Sequence, residues 1–533
     1  MNDLRSLKAL LDAHRRIRSS SSRFRRSLSR PSTVIAALLL AACASCADDS
    51  SSQTAPRLAE VLPSEKPTGQ ELSLTEKLPD TSFVLIVSDT MRKDRMGAYG
   101  GSARTPAFDT FAGDHVLFNV ACTQAPWTKP SIATLFTSLY PSQHGCVHHP
   151  SGRGDPRGET VFASTAQNDV LSSEFDTLAE VLNNAGFRTA GFVGNPWMKK
   201  EFGYGQGFDV YDDSFSGWDT PGEEITRAGL EWLKNVKPGE RFFLYLHYMD
   251  CHRPYVALNR EDVLSHEETF RSDARPIDRA VEEEIIRIVS LENGQPAVTA
   301  GVPPCISLVE MAYDRGLESF DSALGSFLES FSAHEAFEQT AIVVTSDHGE
   351  ALFERGYGRH GTGLYSDEVA VPMAARLPGV TAGQQTVTIP VGLIDIMPTA
   401  CAYLGVPTAE MAHGRNLLES NFEGSSGVHC LVTEGVIEKP QNRAIQYGSY
   451  KLLWQPELGA DGKAFALFNL KDDPLEQRDL LDPESQFENG QQIVSAMLQE
   501  GRNIVSEFDT PEQKSVPMHP DSIRRLKSLG YLE

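Results

Sequence analysis

The sequence predicts an α/β fold: a mixed, largely parallel sheet sandwiched by helices, followed by a small antiparallel-sheet subdomain. Three observations predict it. Four short runs, at 81–89, 188–193, 241–247 and 340–346, are apolar and β-branched with little alternation, as in strands buried on both faces. Helical spacing recurs between them, which parallel strands require of their crossovers. After about residue 410 the texture changes to short strand-like runs, two of them separated by Gly448-Ser449, a hairpin signal.

The chain is 533 residues long, 40% hydrophobic and 23% charged, with a formal charge of −24. That length holds one large or two unequal domains. The negative charge argues against nucleic acid as a partner. An anionic substrate would need local positive charge from a metal, Lys or Arg.

Residues 1–42 read as a lipoprotein-type signal segment. Nine basic residues precede a short apolar run, Val34 to Ala42, that is too short to span a membrane in the mature protein. The run ends in Leu40-Ala41-Ala42-Cys43, which resembles a bacterial lipoprotein signal. It implies lipid anchoring through Cys43, export, and an outer-membrane location facing the periplasm or the cell surface. An ordinary signal peptide cut after Ala42 or Ala47 is the alternative. Loss of residues 1–42 removes nine basic and two acidic residues and leaves a body charge of −31. Of the eight cysteines, Cys43 and Cys46 belong to the leader region, and the spacing of the other six assigns no pairs. Residues 43–79 are Ser-, Pro- and Glu-rich, a flexible tether, with order expected from near Leu78.

The catalytic domain is expected over 80–410. Its first strand, 81–89, ends in Asp89, where open parallel sheets place ligands and where a carboxylate suits a hard cation. Residues 105–112 look helical and Val116 to Cys122 strand-like. Trp127-Thr128-Lys129-Pro130-Ser131 then opens a helix expected from Ser131 to about Leu139. Proline suits a first helical turn, so the Thr128 hydroxyl lies at or just outside a helix N-terminus, a position that favours anions. It is either a helix cap or a nucleophile. Lys129 adds charge there or faces solvent. A polar loop follows at 151–168, then a helix at 177–185 and the strand 188–193, which ends in Gly194-Asn195-Pro196.

The strand 241–247 runs into Asp250-Cys251-His252-Arg253. His247 lies within the strand and reads as buried and satisfied, whereas His252, past its end, is the better site candidate. Residues 259–300 read as an irregular loop excursion, and 313–331 as a packed amphipathic helix. The strand 340–346 ends in Asp347-His348, a carboxylate and an imidazole suited to one metal. Arg359-His360-Gly361 follows, and 391–404 contains a further helix. Residues 411–533 are expected to form the C-terminal subdomain with its terminal helix.

Polar residues at the ends of four strands, with a Thr at a helix start, point to one metal-centred site at one edge of the sheet. Taken in order, Asp89-Thr90-Met91-Arg92, Trp127-Thr128-Lys129-Pro130-Ser131, Asp250-Cys251-His252-Arg253-Pro254-Tyr255, Asp347-His348-Gly349-Glu350 and Arg359-His360-Gly361 resemble the sulfatase family of the alkaline phosphatase superfamily. The resemblance covers roughly residues 80–480 and extends to Leu467-Phe468-Asn469-Leu470 and Asp473-Pro474-Leu475-Glu476. It implies the alkaline-phosphatase-like fold, a divalent metal and cleavage or transfer of sulfate or phosphate esters.

The departures are chemical. Sulfatases carry Cys or Ser, oxidised to formylglycine, where this chain has Thr128, so no formylglycine is expected. Ile132 replaces the Arg of that motif, Asn195-Pro196-Trp197 stands in the region of a Gly-Lys-Trp-His-type motif, and Thr90 replaces a second metal-binding Asp. A formylglycine hydrate releases sulfate by elimination. A phosphothreonine is released instead by attack at phosphorus.

The leading expectation is therefore a metal-dependent phosphodiesterase, phosphonate esterase or phospho-group transferase. Thr128 is the nucleophile, and Asp89, Asp347, His348 and the Thr128 oxygen hold the metal. His252 and His360 hold oxygens or protonate the leaving group, and Lys129 adds charge. The metal is Ca, Mg, Mn or Zn, and a second ion would draw on Asp250, His252 and His360. The substrate is a small-molecule, glycan or lipid ester. A sulfuric ester hydrolase and an inactive tethered binding protein are the alternatives.

Overall fold

In a computed structural model of the chain, the described residues are 58–62, 72, 80–148, 167–215, 220–380, 385–418, 430–435, 437, 439, 441–456, 463–505 and 515–517. The leader, most of the tether and the loop expected at 151–168, up to residue 166, lie outside them. Residues 167–169 form a short strand paired with Ser515–Pro517. Within the expected tether, Leu58–Val61 is one helical turn. Leu58 and Leu62 are buried in a cluster with Ile493 and Met497 of the C-terminal subdomain, so order begins before Leu78.

The main sheet has eight strands: β1 (Ser82–Ser88), β2 (Val116–Phe118), β3 (Arg188–Val193), β4 (Val210–Asp212), β5 (Phe242–Tyr248), β6 (Thr340–Ser346), β7 (Met373–Arg376) and β8 (Gln385–Val387). Their spatial order is β8-β2-β7-β6-β1-β5-β3-β4. The run β6-β1-β5-β3-β4 is parallel, and only β7 lies antiparallel to its neighbours. β1 therefore lies between two parallel strands, β5 and β6, and is fully buried along its length, which is why its sequence shows no polar alternation.

Alternation decides which layer each side chain joins. Phe83, Leu85 and Val87 face a core shared with Ile132, Leu135 and Phe136 of α1 (Thr128–Thr137). Val84 and Ile86 face the other core, filled by Tyr313, Leu317, Phe320 and Leu324 of α2 (Ile306–Ser332). The ring of Phe136 meets that of Tyr245 edge-on at 5.0 Å, which pins α1 to β5. α2 starts seven residues earlier than the expected 313.

The excursion at 259–300 is more regular than expected. It holds helices at Arg260–Ser265, Glu267–Ser272 and Arg279–Ile288. Asn259 and Asp278 cap the first and last of these by accepting from Glu261 N and Val281 N, and Val281 and Ile285 bury one face of the last. The C-terminal subdomain has the expected antiparallel sheet, β9 (Cys430–Glu434), β10 (Arg443–Tyr447), β11 (Tyr450–Trp454) and β12 (Phe465–Asn469), with α3 (Gly490–Val505) against it. Among the described residues Cys122, Cys146, Cys251, Cys305, Cys401 and Cys430 are free and buried.

Candidate active site

The carboxyl ends of β1, β3, β5 and β6 converge. Asp89 follows β1, Asn195 follows β3, His252 follows β5, and Asp347-His348 follow β6. Asp89 N donates to Tyr248 O at 2.9 Å, which extends the ladder one step beyond the strands. Thr128 is the first residue of α1 rather than a residue outside it, with Trp127 at the cap position. Ser131, one turn on, donates from Oγ to Asp347 O at 2.7 Å and ties α1 to the end of β6.

The Thr128 hydroxyl is buried among the strand ends. Its Oγ1 lies 3.4 Å from Asp89 Oδ2, 3.2 Å from His348 Nε2 and 3.3 Å from Asn195 Nδ2. Asp89, Asp347 and His348 each offer one ligand atom within 4.8 Å of the others, and all three are fully buried. Asp89 Oδ1 and Asp347 Oδ2 are buried with no hydrogen-bond donor among the described residues. They lie 3.7 and 3.4 Å from His348 Nε2. His348 Nδ1 lies 2.9 Å from Gly349 O, which as donor to that carbonyl leaves the Nε2 lone pair facing the carboxylates. Two unpartnered carboxylate oxygens and one imidazole lone pair fit a divalent cation, as do oxygen and nitrogen donors in its shell.

The electrostatics agree. Burial raises Asp89, but the hydrogen bond from His247 and the nearby His252 and His348 outweigh it and hold Asp89 well below the usual carboxylate range. Burial and the Asp89 charge push Asp347 up to about 8. Two carboxylates this close cannot both ionise cheaply without a cation between them. Burial also lowers His348 and takes His252 down to about 4, against the pull of Asp89.

His252 and His360 sit together, with ring centroids 5.0 Å apart, and the His360 ring lies 4.5 Å from that of His348. His360 Nδ1 is 2.7 Å from Glu350 Oε2, and His252 Nδ1 is 2.5 Å from Arg253 O. Burial raises Glu350, yet His360 and Arg253 bring it down to about 2. Gly361, at φ 71°, donates to Pro126 O and so anchors the His360 loop beside Trp127-Thr128. A side chain at 361 would meet Ile437 Cδ1 at 2.6 Å.

Lys129 is neither solvent-facing nor an isolated charge. It is fully buried, with Nζ 2.7 Å from His148 O and 3.3 Å from Asp169 Oδ2. Asp250, a candidate for a second ion, accepts through Oδ1 from Gly222 N at 3.2 Å and Ser319 Oγ at 2.7 Å.

His247 is buried and satisfied, as the sequence reading has it, and it also faces the site, with Nε2 3.3 Å from Asp89 Oδ2 and Nδ1 2.8 Å from Tyr245 OH. Register carried the signal: His247 stands opposite Val87, two residues before Asp89 and so on the same face of the strand. Glu350, adjoining the Asp347-His348 turn, and Asn195, at the end of β3, are the other site residues without an assigned role in the sequence reading. Thr90 holds φ 58°, unusual for a β-branched residue, and its backbone N–H donates to Asp347 Oδ1 at 3.2 Å.

Residues 81–406 match the family described as Sulfatase. An endo-4-O-sulfatase of Bacteroides thetaiotaomicron is 22% identical over 79% of this chain and 88% of its own length. The solved structure of BT4656 in complex with its substrate D-glucosamine-2-N,6-O-disulfate superimposes with a TM-score of 0.62 at 16% identity, covering 81% of this chain and 100% of the other. The phosphonate monoester hydrolase of Agrobacterium radiobacter superimposes with a TM-score of 0.57 at 17% identity, covering 83% and 100%. Divalent-metal use is general in this family, and the Asp89, Asp347 and His348 cluster accords with it. The match spans the whole parallel sheet, α1 and the Asp347-His348 turn, and on that ground the chain belongs to the sulfatase family, as an ester hydrolase of the alkaline phosphatase superfamily.

Proposed function

We propose that this sulfatase-family hydrolase is exported, lipid-anchored through Cys43, and cleaves phosphodiester or phosphonate esters with Thr128 as nucleophile. One observation carries the reading: the Thr128 hydroxyl lies within 3.4 Å of both Asp89 and His348, inside the cluster suited to a cation. Thr lacks the chemistry of a formylglycine, so a direct displacement at phosphorus suits it better than sulfate elimination.

Asp89, Asp347, His348 and Thr128 Oγ1 would hold a divalent ion, whose positive charge would lower the Thr128 pKa and favour an anionic ester. Thr128 Oγ1 loses its proton to water and forms a bond to phosphorus while the bond from phosphorus to the ester oxygen breaks, and that oxygen leaves with a proton from protonated His252 or His360. Water, or an acceptor alcohol, then attacks phosphorus and breaks the bond to Thr128, restoring the hydroxyl. An anionic substrate favours the charged form of His252, which burial alone disfavours. Burial at 0–8% exposure for Asp89, Thr128, Asp347, His348, His252 and His360 limits bulk water at the reacting atoms.

A second reading, sulfuric ester hydrolysis on a glycan, draws on the endo-4-O-sulfatase relative and on the disulfated glucosamine bound in the structural neighbour. The mature chain, screened with Ca, Mg, Mn and Zn against nitrophenyl sulfate, phosphate, phosphodiester and phosphonate esters beside Thr128→Ala, separates the two. Diester or phosphonate turnover lost in the variant supports the proposal. Sulfate turnover that survives Thr128→Ala removes the Thr128 mechanism.

A further inference from the structure

We infer that Asn195 is a catalytic residue of the proposed reaction, donating from its side-chain amide to the Thr128 oxygen as that oxygen gains charge. The inference rests on Thr128 being the nucleophile.

Three contacts set the orientation of the amide. Asn195 Oδ1 accepts from Trp197 N at 2.8 Å, at the start of the Pro196–Met198 3₁₀ turn. Nδ2 therefore faces the site, 2.5 Å from Asp89 Oδ2 and 3.3 Å from Thr128 Oγ1. The flipped amide would set a carbonyl oxygen against a carboxylate and an NH₂ against an N–H, so the hydrogen-bond network admits one orientation. The residue is 1% exposed. Gly194 before it donates to His247 O at 3.2 Å, and a side chain at 194 would meet Met249 Cγ at 2.8 Å. The turn is held at both ends and the amide has little freedom.

An NH₂ group carries two hydrogens, enough for one bond to Asp89 and one to Thr128. The bond to Asp89 persists through the reaction. The bond to Thr128 strengthens as the hydroxyl becomes an alkoxide, because donors to charged oxygens form stronger bonds than donors to neutral ones. It is then available again when the threonine oxygen leaves phosphorus in the second step. A preorganised donor aimed at developing charge in a water-excluded site is the usual source of a large rate term. Asn195 supplies it without adding net charge, in the region where the family motif has a Lys.

His247 provides the comparison, since it also donates to Asp89 Oδ2, at 3.3 Å. A residue acting only by orienting Asp89 would behave as His247 does.

The experiment is steady-state kinetics on a nitrophenyl phosphodiester, with bound metal measured on the same samples, for wild type, Asn195→Ala, Asn195→Asp, His247→Gln and Thr128→Ala. The expected result is a fall in kcat of roughly 100-fold or more for Asn195→Ala, the usual cost of losing one such donor. KM and metal content stay near wild type and the melting curve stays cooperative. Asn195→Asp, which puts an acceptor in place of the donor, is at least as slow. His247→Gln loses metal affinity and recovers kcat at saturating metal. Three results would overturn the inference: kcat within about twofold of wild type in Asn195→Ala, recovery of that variant by added metal in parallel with His247→Gln, or turnover that persists in Thr128→Ala. The last would also end the Thr128 reading, whereas the first two leave it standing.

Discussion

His247 Nε2 lies 3.3 Å from Asp89 Oδ2, although the two residues come from neighbouring strands and only Asp89 lies beyond its strand end. The parallel register that sets His247 opposite Val87 produces this contact. His247 thus supports a candidate metal ligand from behind, with its own Nδ1 next to the Tyr245 hydroxyl. Partners of this kind orient ligands and raise their affinity. His247→Ala is expected to weaken metal binding by roughly 10–100-fold, measured by competition with a chelating dye, with the far-UV spectrum unchanged.

Lys129 and Asp169 form a buried ion pair at 3.3 Å, with side chains 0% and 6% exposed. Burial raises Asp169, but Lys129 and His148 bring it down to about 2. Removing Lys129 takes the cation from a buried carboxylate and leaves it only His148 and backbone N–H partners, so Lys129→Met should cost about 3–5 kcal/mol of stability. Asp169→Asn in the same chain should return part of it. Urea unfolding of the single and double variants measures both.

His144 is fully buried beside Thr134, and burial takes its pKa from 6.5 to about 3. The unfolded chain takes up a proton below about 6.5 that the folded chain refuses until about 3. Its contribution to stability is complete above that window and falls as the pH falls through it, by about 1.4 kcal/mol per unit crossed. His144→Gln, which keeps hydrogen-bonding capacity without titrating, should flatten the pH dependence of the unfolding midpoint between those limits.

Cys43→Ser should abolish incorporation of a labelled fatty acid and move the protein from the membrane pellet to the soluble fraction. Labelling that persists in the variant would contradict anchoring at Cys43.

Where the sequence was most legible, one physical signal dominated. The strands Arg188–Val193 and Thr340–Ser346 have the boundaries their apolar runs predict, because two-sided burial leaves no polar position to blur them. The same logic placed Asp89, Asn195, His252 and Asp347-His348 at one edge, since parallel strands end together. Side-chain facing was less legible. His247 looked like a core residue because its strand is buried throughout, and only knowledge of its neighbour strand shows that its face leads to Asp89. Lys129 could not be read because its partner, Asp169, lies 40 residues away in sequence. The helices at 260–288 were hidden by their charge, though Val281 and Ile285 stand at helical spacing and are buried.

The most direct test is acid quenching of the metal-loaded mature chain during phosphodiester turnover, followed by mass spectrometry of the peptide containing Thr128. A phosphoryl adduct on Thr128 that appears before steady state and is absent from Thr128→Ala is the predicted result. Turnover at full rate with no adduct on Thr128 would contradict it.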